Sequence, residues 1–451
     1  MPVNRDIFKA YDIRGTYPDE LDESVFRDLG RAYVAYLQAR RIGVGRDMRL
    51  SSPTLAAAFI EGARLQGADV VDFGLIATDM LYYGVVSGDL DGGVQITASH
   101  NPKHYNGAKM VRREAFPLSG DEGISDIREM LLARAIPAPA GAQGSLGERA
   151  LLQDYLEHVR TFFDASLIAP FNVVLDAGNG VAGLVAPALF DPLPCRTTRL
   201  CFDVDGSFPN HEANPLIEAN RAHIVARVLK EGADVGIAWD GDADRCFFID
   251  GTGEFIAGDF ITALLAEAFL LKYPGSTIIY DVRASDAVKD TVARLGGCAL
   301  MNRVGHAFFK RRMREENGIF AGEVTGHYYF RDNFFADNGF IPAMMLLELM
   351  SKKQQSLHEL LRPLGEKYFI SGEINTSVAS MDLVPARLDA ITAAYKDGHV
   401  STMDGVSVEY PDWHFNVRPS NTEPLLRLNL EGRTPELMAR KRDEVLGLIR
   451  G

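Results

Sequence analysis

Cysteine is scarce in this chain of 451 residues: Cys195, Cys201, Cys246 and Cys298 stand far apart, with no C-x-x-C pair. That usage argues against a disulfide framework or a paired-cysteine zinc site, and a reducing cytoplasm is the expected setting. Long apolar runs are missing too, and nothing approaches the roughly 20 residues a membrane span needs. The best candidates, "FITALLAEAFLL" and "IPAMMLLELM", are short and carry Glu267 or Glu348, so they are expected to be buried helices. The opening "MPVNRDIFKA" is charged and has no apolar stretch of the kind an export signal carries. Positive charge is in deficit: 47 Lys and Arg against 61 Asp and Glu give a net charge of −14. Nucleic acid and anionic membranes are therefore not expected as partners. An anionic small substrate stays open, because a local cluster of Arg, Lys and His reverses the field inside a cleft.

What is present is a repeated alternation. Strand, helix, glycine and second strand run through "RRIGVGRDMRLSSPTLAAAFIEGARLQGADVVDFG" and return in "STIIYDVRASDAVKDTVARLGGCALMNRVGH". The middle offers "FNVVLDAGNGVAGLVAPALF" and "HIVARVLKEGADVGIAWDGD", where a glycine again closes a helix before an apolar strand. Ser52 followed by Pro53 is expected to supply the N-cap and first position of one such helix. This pattern predicts βαβ units and largely parallel sheets. The tail differs, with alternating "VSVEY", "WHFNVRPSN" and "LLRLNLE" before a final helix over 435–450, which predicts an antiparallel sheet. The fold class is thus α/β: three similar domains with mixed, largely parallel sheets, plus a smaller C-terminal α+β domain. Boundaries are placed at 1–146, 147–250, 251–364 and 365–451, with "ARAIPAPAGAQGSLG" as a surface linker at the first.

In parallel sheets, sites gather in loops beyond the carboxyl ends of strands, and four such loops carry chemistry. "TASHNPKHYNGAKM" follows a short buried strand over 93–96; turn chemistry explains its Asn, Pro and Gly but not Ser99, His100 and Lys109 together. No G-x-S-x-G surrounds Ser99, so a hydrolase nucleophile is disfavoured, whereas a serine carrying a phosphoryl group would need the cations beside it. "WDGDADR" sets Asp240, Asp242 and Asp244 at alternate positions, able to turn three carboxylates onto one hard cation, with Arg245 next to them. An EF-hand fails here, since its sixth position is Arg245 and its twelfth is Gly251. "AGEVTGHYYF" spaces Glu323, Thr325 and His327 by two, which suits neighbouring sugar hydroxyls or is an ordinary turn. "RPSNTEPLLR" offers Arg418, Ser420, Asn421 and Thr422 to phosphate oxygens. A competing signal is "GNGVAG", residues 178–183, a G-x-G-x-x-G after a strand with Asp203 further on; it would suit a NAD-dependent dehydrogenase. That reading leaves the aspartate loop and the Arg418 loop without a purpose.

Taken together, "KAYDIRG", "TASHNP", "DGDADR", "GEVTGH" and "RPSNTEP", in this order and spacing, resemble the α-D-phosphohexomutase family, most closely its phosphomannomutase/phosphoglucomutase branch. The resemblance spans the chain and implies four domains around a central cleft, each giving one loop. It implies Ser99 as the phosphoserine, and Asp240, Asp242 and Asp244 as ligands of Mg²⁺ together with a Ser99 phosphoryl oxygen. Glu323, Thr325 and His327 would read sugar hydroxyls, while Arg418, Ser420, Asn421 and Thr422 would clamp the phosphate that is not reacting. Tyr11, Arg14, His100, Lys109, Arg245 and His306 would complete the charge-balancing and acid–base shell. The implied reaction interconverts hexose 6-phosphate and hexose 1-phosphate through a bound hexose 1,6-bisphosphate. The implied partners are small hexose phosphates, with the protein a monomer or weak homo-oligomer. Three positions depart from the pattern: Thr325 where Ser is common, Arg283 where relatives often carry Lys, and the loose "HEANP". Val324, where phosphoglucosamine mutases usually have Gln, favours mannose and glucose phosphates over that alternative.

Overall fold

The computed structural model describes residues 3–139, 141–420 and 425–450. The chain forms two compact units, Met1–Ile256 with Thr325–Leu357, and Ala257–Val324 with His358–Gly451.

The first unit contains two mixed sheets. In one, the strands Gly92–Ile96, Arg41–Arg46, Asp69–Leu75 and Leu146–Glu148 run parallel in that spatial order. Tyr105–Arg112 returns antiparallel beside Gly92–Ile96 and is flanked by Ile13–Thr16. The helices Glu23–Leu37 and Ser52–Leu65 lie against each other over this sheet, and Phe26, Leu29, Tyr33 and Phe59 are buried in its core. Their approach is set by glycine: a Cβ on Gly62 would stand 1.9 Å from the carbonyl oxygen of Arg27. Asp22 caps the first helix by accepting from the Val25 N–H at 2.9 Å. The second helix departs from expectation, since Ser52 is its first helical residue and Ser51 stands at the N-cap position. The Ser52 hydroxyl is used elsewhere, donating to Asp47 at 2.6 Å.

The described residues of the linker "ARAIPAPAGAQGSLG" are largely exposed, yet they are tied down. Gly144 N–H donates to the Arg64 carbonyl, Arg64 Nε donates to the Gly144 carbonyl, and Leu146–Glu148 extends the sheet edge. The other sheet of this unit orders Cys246–Asp250, Val235–Trp239, Asn172–Asp176 and Arg196–Leu200, all parallel except the first.

In the second unit Thr277–Asp281 pairs in parallel with Cys298–Asn302 and Phe320–Gly322. An antiparallel sheet of the C-terminal part runs Phe369–Ile370, Leu425–Gly432, Trp413–Pro419, Val406–Glu409, His399–Ser401. It packs against the helices Val384–Ala394 and Pro435–Arg450 through Ile391, Phe415, Leu428 and Val445. "FITALLAEAFLL" and "IPAMMLLELM" are mostly buried helices, as their apolar content predicts. Among the described residues no helix is long and apolar enough to cross a membrane.

Candidate active site

The Ser99 loop is a short excursion between two antiparallel strands, with Gln95 opposite Lys109 in register. Hence Lys109, ten residues from Ser99 in sequence, comes back to the same sheet end. Ser99 has a left-handed backbone (φ 51°), a conformation most side chains avoid. It is held by Arg49, a residue the sequence reading did not single out. The enclosed Arg49 guanidinium donates to the carbonyls of Ser99 (2.8 Å), Asn101 (2.6 Å), Pro102 (2.8 Å) and Tyr105 (2.9 Å). Its Nε pairs with Asp47 at 3.2 Å. Only the "GRD" run ending the preceding strand hinted at it, and acceptors that are backbone carbonyls leave no signature.

Asp240, Asp242 and Asp244 occupy the turn between Val235–Trp239 and Cys246–Asp250, with Ala243 left-handed at φ 58°. All three are buried, and one oxygen from each lies within 4.8 Å of the others. The Ser99 hydroxyl donates to Asp240 Oδ2 at 2.7 Å, and Arg245 Nη2 reaches that oxygen at 2.7 Å and Ser99 Oγ at 3.4 Å. Asp242 Oδ2 accepts from Thr78 (2.6 Å), Thr97 (3.3 Å) and Lys109 Nζ (2.7 Å), and Lys109 also bonds Asp244. Among the described residues Asp242 Oδ1 and Asp244 Oδ1 have no hydrogen-bond partner. Burial and the charge on Asp242 push the Asp244 carboxyl up to about 6, whereas Lys109 overcomes burial to hold Asp242 below the carboxylate range. Burial opposes the Lys109 charge, but Asp242, Asp244 and Asp240 more than offset it and raise its pKa. Two buried like charges 4 Å apart repel by about 4 kcal/mol at an effective dielectric of 20. Three carboxylates with two orphaned oxygens therefore fit a hard divalent cation well.

Around this centre lie the other residues of the first unit. His100 Nδ1 is 3.2 Å from Ser99 Oγ, and burial with the charges of Arg245 and Arg14 puts its pKa well below the usual imidazole value. Arg14 bonds Asp12 at 2.8 Å and Asn101 at 2.5 Å; Tyr11 and Asp12 help to keep it charged against burial. His327 Nδ1 lies 2.9 Å from Asp337 and 3.9 Å from Asp244, so its imidazole belongs to the aspartate cluster. Thr325 is half-buried at the start of the same segment.

The second unit assembles a different cluster. Arg283 bonds Asp281 at 2.8 Å and pairs with Glu373 at 3.4 Å and Glu323 at 3.7 Å. Arg418 and Arg427 also converge on Glu373, at 3.5 and 3.1 Å, and Arg427 lies 3.4 Å from Ser420 Oγ. Three guanidinium groups thus share Glu373, with Asp281 and Glu323 also on Arg283, and the forked donors of Arg418 and Arg427 suit phosphate oxygens. Glu373 escaped the sequence reading because no motif contains it, and Arg427, the last residue of "RPSNTEPLLR", because it sits in the strand after the turn. Glu323 accepts from the Gly305 N–H at 3.3 Å, and buried His306 begins the helix that follows. Asn421 and Thr422 lie outside the described residues.

The glycines of "GNGVAG" serve the chain itself. A Cβ on Gly180 would meet the Gly241 carbonyl oxygen at 2.7 Å, and one on Gly183 the Phe202 carbonyl oxygen at 2.4 Å. The Val181 N–H at that helix start donates to the Gly241 carbonyl at 3.1 Å. Protein backbone holds the place where a dinucleotide's pyrophosphate would approach.

Models of phosphoglucomutase/phosphomannomutase match the chain in four parts: α/β/α domain I at residues 5–134, domain II at 153–253, domain III at 257–368 and the C-terminal domain at 373–448. A protein described as phosphohexose mutases from Xanthomonas campestris pv. campestris (strain B100) is 42% identical over 98% of this chain and 99% of its own. A phosphomannomutase of Escherichia coli K12 is 41% identical over 96% and 97%. The crystal structure of a phosphoglucomutase/phosphomannomutase family protein from Burkholderia thailandensis superposes with a TM-score of 0.90 at 34% identity, covering 99% of this chain and 98% of that one. The chain belongs to the phosphoglucomutase/phosphomannomutase family and is a hexose-phosphate mutase, an isomerase acting by phosphoryl transfer.

Proposed function

We propose that this enzyme interconverts the 6-phosphates and 1-phosphates of mannose and glucose by way of a phosphoryl group on Ser99 and a hexose 1,6-bisphosphate. The observation that carries the proposal is the Ser99 hydroxyl, 2.7 Å from Asp240 and within reach of Arg245 and His100. A neutral serine has no need of such surroundings; a phosphoserine does. Mg²⁺, held by Asp240, Asp242, Asp244 and a Ser99 phosphoryl oxygen, would neutralise charge on the transferring group when bound.

The residues supply the rest. In the first half-reaction the sugar hydroxyl oxygen bonds to phosphorus as the Ser99 Oγ–P bond breaks, and the hydroxyl proton passes to an imidazole. We assign that role to His327, whose Nδ1 lies 2.9 Å from Asp337 and whose Nε2 is on the opposite ring edge. Arg245 meets the charge left on Ser99 Oγ. In the second half the Ser99 oxygen attacks the other phosphate of the bisphosphate, and the departing sugar oxygen takes its proton from the imidazolium. Arg14 and Lys109 stay cationic throughout and balance the phosphoryl charge, with Tyr11 beside Arg14.

Glu323, Thr325, His327 and His306 are assigned to the sugar. Arg418 and Ser420, with Asn421 and Thr422, are assigned to the non-reacting phosphate, supported by Arg283 and Arg427. We keep the domain limits 1–146, 147–250, 251–364 and 365–451 for these loops. Free bisphosphate serves as activator by rephosphorylating Ser99. Scarce cysteine supports a cytoplasmic setting, and a monomer or weak homo-oligomer suffices for the chemistry. Val324 and the similar phosphomannomutases support mannose and glucose over glucosamine.

The test is a coupled assay of mannose, glucose and glucosamine 1-phosphates side by side, with peptide mass spectrometry of the purified enzyme. Phosphate on Ser99, and loss of nearly all activity in a folded Ser99→Ala variant, are expected. A fully active alanine variant would exclude covalent transfer.

A further inference from the structure

Away from these loops, the first unit brings together another set of metal-ligand side chains. Asp176 ends the strand Asn172–Asp176, and its register partner Leu200 ends the parallel neighbour Arg196–Leu200. Cys201 comes directly after Leu200, so carboxylate and thiol meet at one sheet end. His211 reaches them from the long irregular segment that follows. A carboxylate oxygen, Cys201 Sγ and an imidazole nitrogen all lie within 4.8 Å of one another. His211 Nε2 is 3.1 Å from Asp176 Oδ2. His211 Nδ1 is 2.9 Å from the Glu212 carbonyl; since a carbonyl only accepts, Nδ1 carries a hydrogen and Nε2 is the ligand nitrogen.

We infer that Asp176, Cys201 and His211 form a binding site for a thiophilic divalent cation of the zinc type, distinct from the aspartate triad near Ser99. Thiolate and imidazole donors suit Zn²⁺ and Co²⁺, whereas three carboxylates suit Mg²⁺, so the two sites select different metals. Tetrahedral zinc with bonds of about 2.0–2.3 Å sets its ligand atoms roughly 3.3–3.8 Å apart. Because no two of the three ligand atoms are more than 4.8 Å apart, closing the cluster takes an inward shift of at most about 1.5 Å, within reach of a side-chain rotation at Cys201. Cys201 and His211 are partly exposed, which gives a metal a way in and leaves a fourth position to water.

Competing cations are few. Among the described residues His211 is the only cationic partner of Asp176. The cluster Asp286, His414 and Glu431 in the second unit is different, because Lys289 (2.8 Å) and Arg433 (2.9 Å) already neutralise Asp286. The rival reading at Asp176 is a plain ion pair with the thiol as bystander. His211 Nε2 faces Asp176 Oδ2 at 3.1 Å, so a metal bound there takes the place of that contact. The two readings divide on whether sulfur becomes a ligand.

The segment between Cys201 and His211 also backs the Ser99 loop. A Cβ on Gly206 would stand 2.3 Å from the Met48 carbonyl oxygen, and the Arg49 guanidinium lies 5.4 Å from the centre of the Phe208 ring. Metal at its two ends would stiffen the support behind Arg49.

The experiment titrates Co²⁺ into the reduced full-length enzyme in excess Mg²⁺, which occupies the hard site. A thiolate-to-cobalt charge-transfer band saturating at one equivalent is expected; Cys201→Ser and His211→Gln should lose it, and Cys195→Ser and Cys298→Ser should keep it. Because a variant can fail to fold, the unaltered protein is also alkylated with and without Zn²⁺ and its peptides are weighed. Zinc should slow labelling of Cys201 about tenfold or more, because a metal-bound thiolate is a poor nucleophile, and leave Cys298 unaffected. No band, a band that survives Cys201→Ser in folded protein, or Cys201 labelling indifferent to zinc would each overturn the site.

Discussion

Replacing Arg49 with lysine tests the idea that a buried guanidinium, rather than the loop's own sequence, holds Ser99 in place. Arg49 serves four carbonyls at 2.6–2.9 Å and the Asp47 carboxylate. A lysine ammonium keeps the charge but has three donors. With one still turned to Asp47, at most two of the four carbonyls retain a partner. Hydrogen bonds to charged groups contribute about 1.5–3 kcal/mol each, so two lost bonds amount to roughly 3–6 kcal/mol before relaxation. The loop can recover part of this by letting Ser99 leave its left-handed conformation, which itself costs about 1–2 kcal/mol. Relaxation moves the Ser99 hydroxyl away from Asp240 and Arg245. If about 3 kcal/mol of positioning is lost, kcat falls on the order of 100-fold, since each 1.36 kcal/mol is tenfold. KM should change little, because the residues proposed for the sugar and the second phosphate are others. The measurement is steady-state kinetics of Arg49→Lys with Ser99 phosphate occupancy by intact mass, on protein shown folded by circular dichroism. A kcat within threefold of wild type would refute the role given to Arg49.

Three further outcomes follow from the geometry. Excess chelator should abolish mutase activity and Mg²⁺ restore it, with Asp242→Asn impaired at least about 100-fold, since it removes a carboxylate that bonds Lys109 and is proposed to hold the cation; full activity in chelator would count against the triad. Arg418→Ala should raise KM for either monophosphate by roughly 30–150-fold, equivalent to 2–3 kcal/mol, and release free bisphosphate during turnover, read by phosphorus NMR; unaltered binding and retention would remove Arg418 from the clamp. Glu431 is buried, and burial with the charges of Asp286 and Asp259, opposed by Arg433, pushes its carboxyl up to about 8. The folded state then keeps a proton that the unfolded chain gives up near 4.5, so this contribution is complete below that pH and is lost as pH rises through 8. The denaturation midpoint should fall between pH 5.5 and 8.5 and Glu431→Gln should flatten the fall; parallel profiles for variant and wild type would show that Glu431 keeps no such proton.

Local chemistry made much of this protein readable from its residues in order. Apolar strands bounded by glycine, helices of ordinary length and an alternating tail determine the element types, and the final helix over Pro435–Arg450 lies where the pattern put it. Aspartates at alternate positions in one turn are close neighbours, so Asp240, Asp242 and Asp244 announce a candidate cation site before any packing is known. Short-range signals fail where partners are distant or are backbone. Ser52 was expected to cap its helix, but its hydroxyl is spent on Asp47, which only the packed loop could show. The "GNGVAG" run has the glycines of a dinucleotide loop, yet what fills their open side, the Gly241 and Phe202 carbonyls, depends on how two loops meet. Arg49 binds carbonyls of residues 50 to 56 positions away, and carbonyls are the same in every sequence. Arg283, Arg418 and Arg427 become one cluster only when the second unit folds them onto Glu373. Residue types and their local spacing thus determine which chemistry is available, while the tertiary fold decides which groups share it, because charge and hydrogen bonding act over a few ångströms of space and not along the chain.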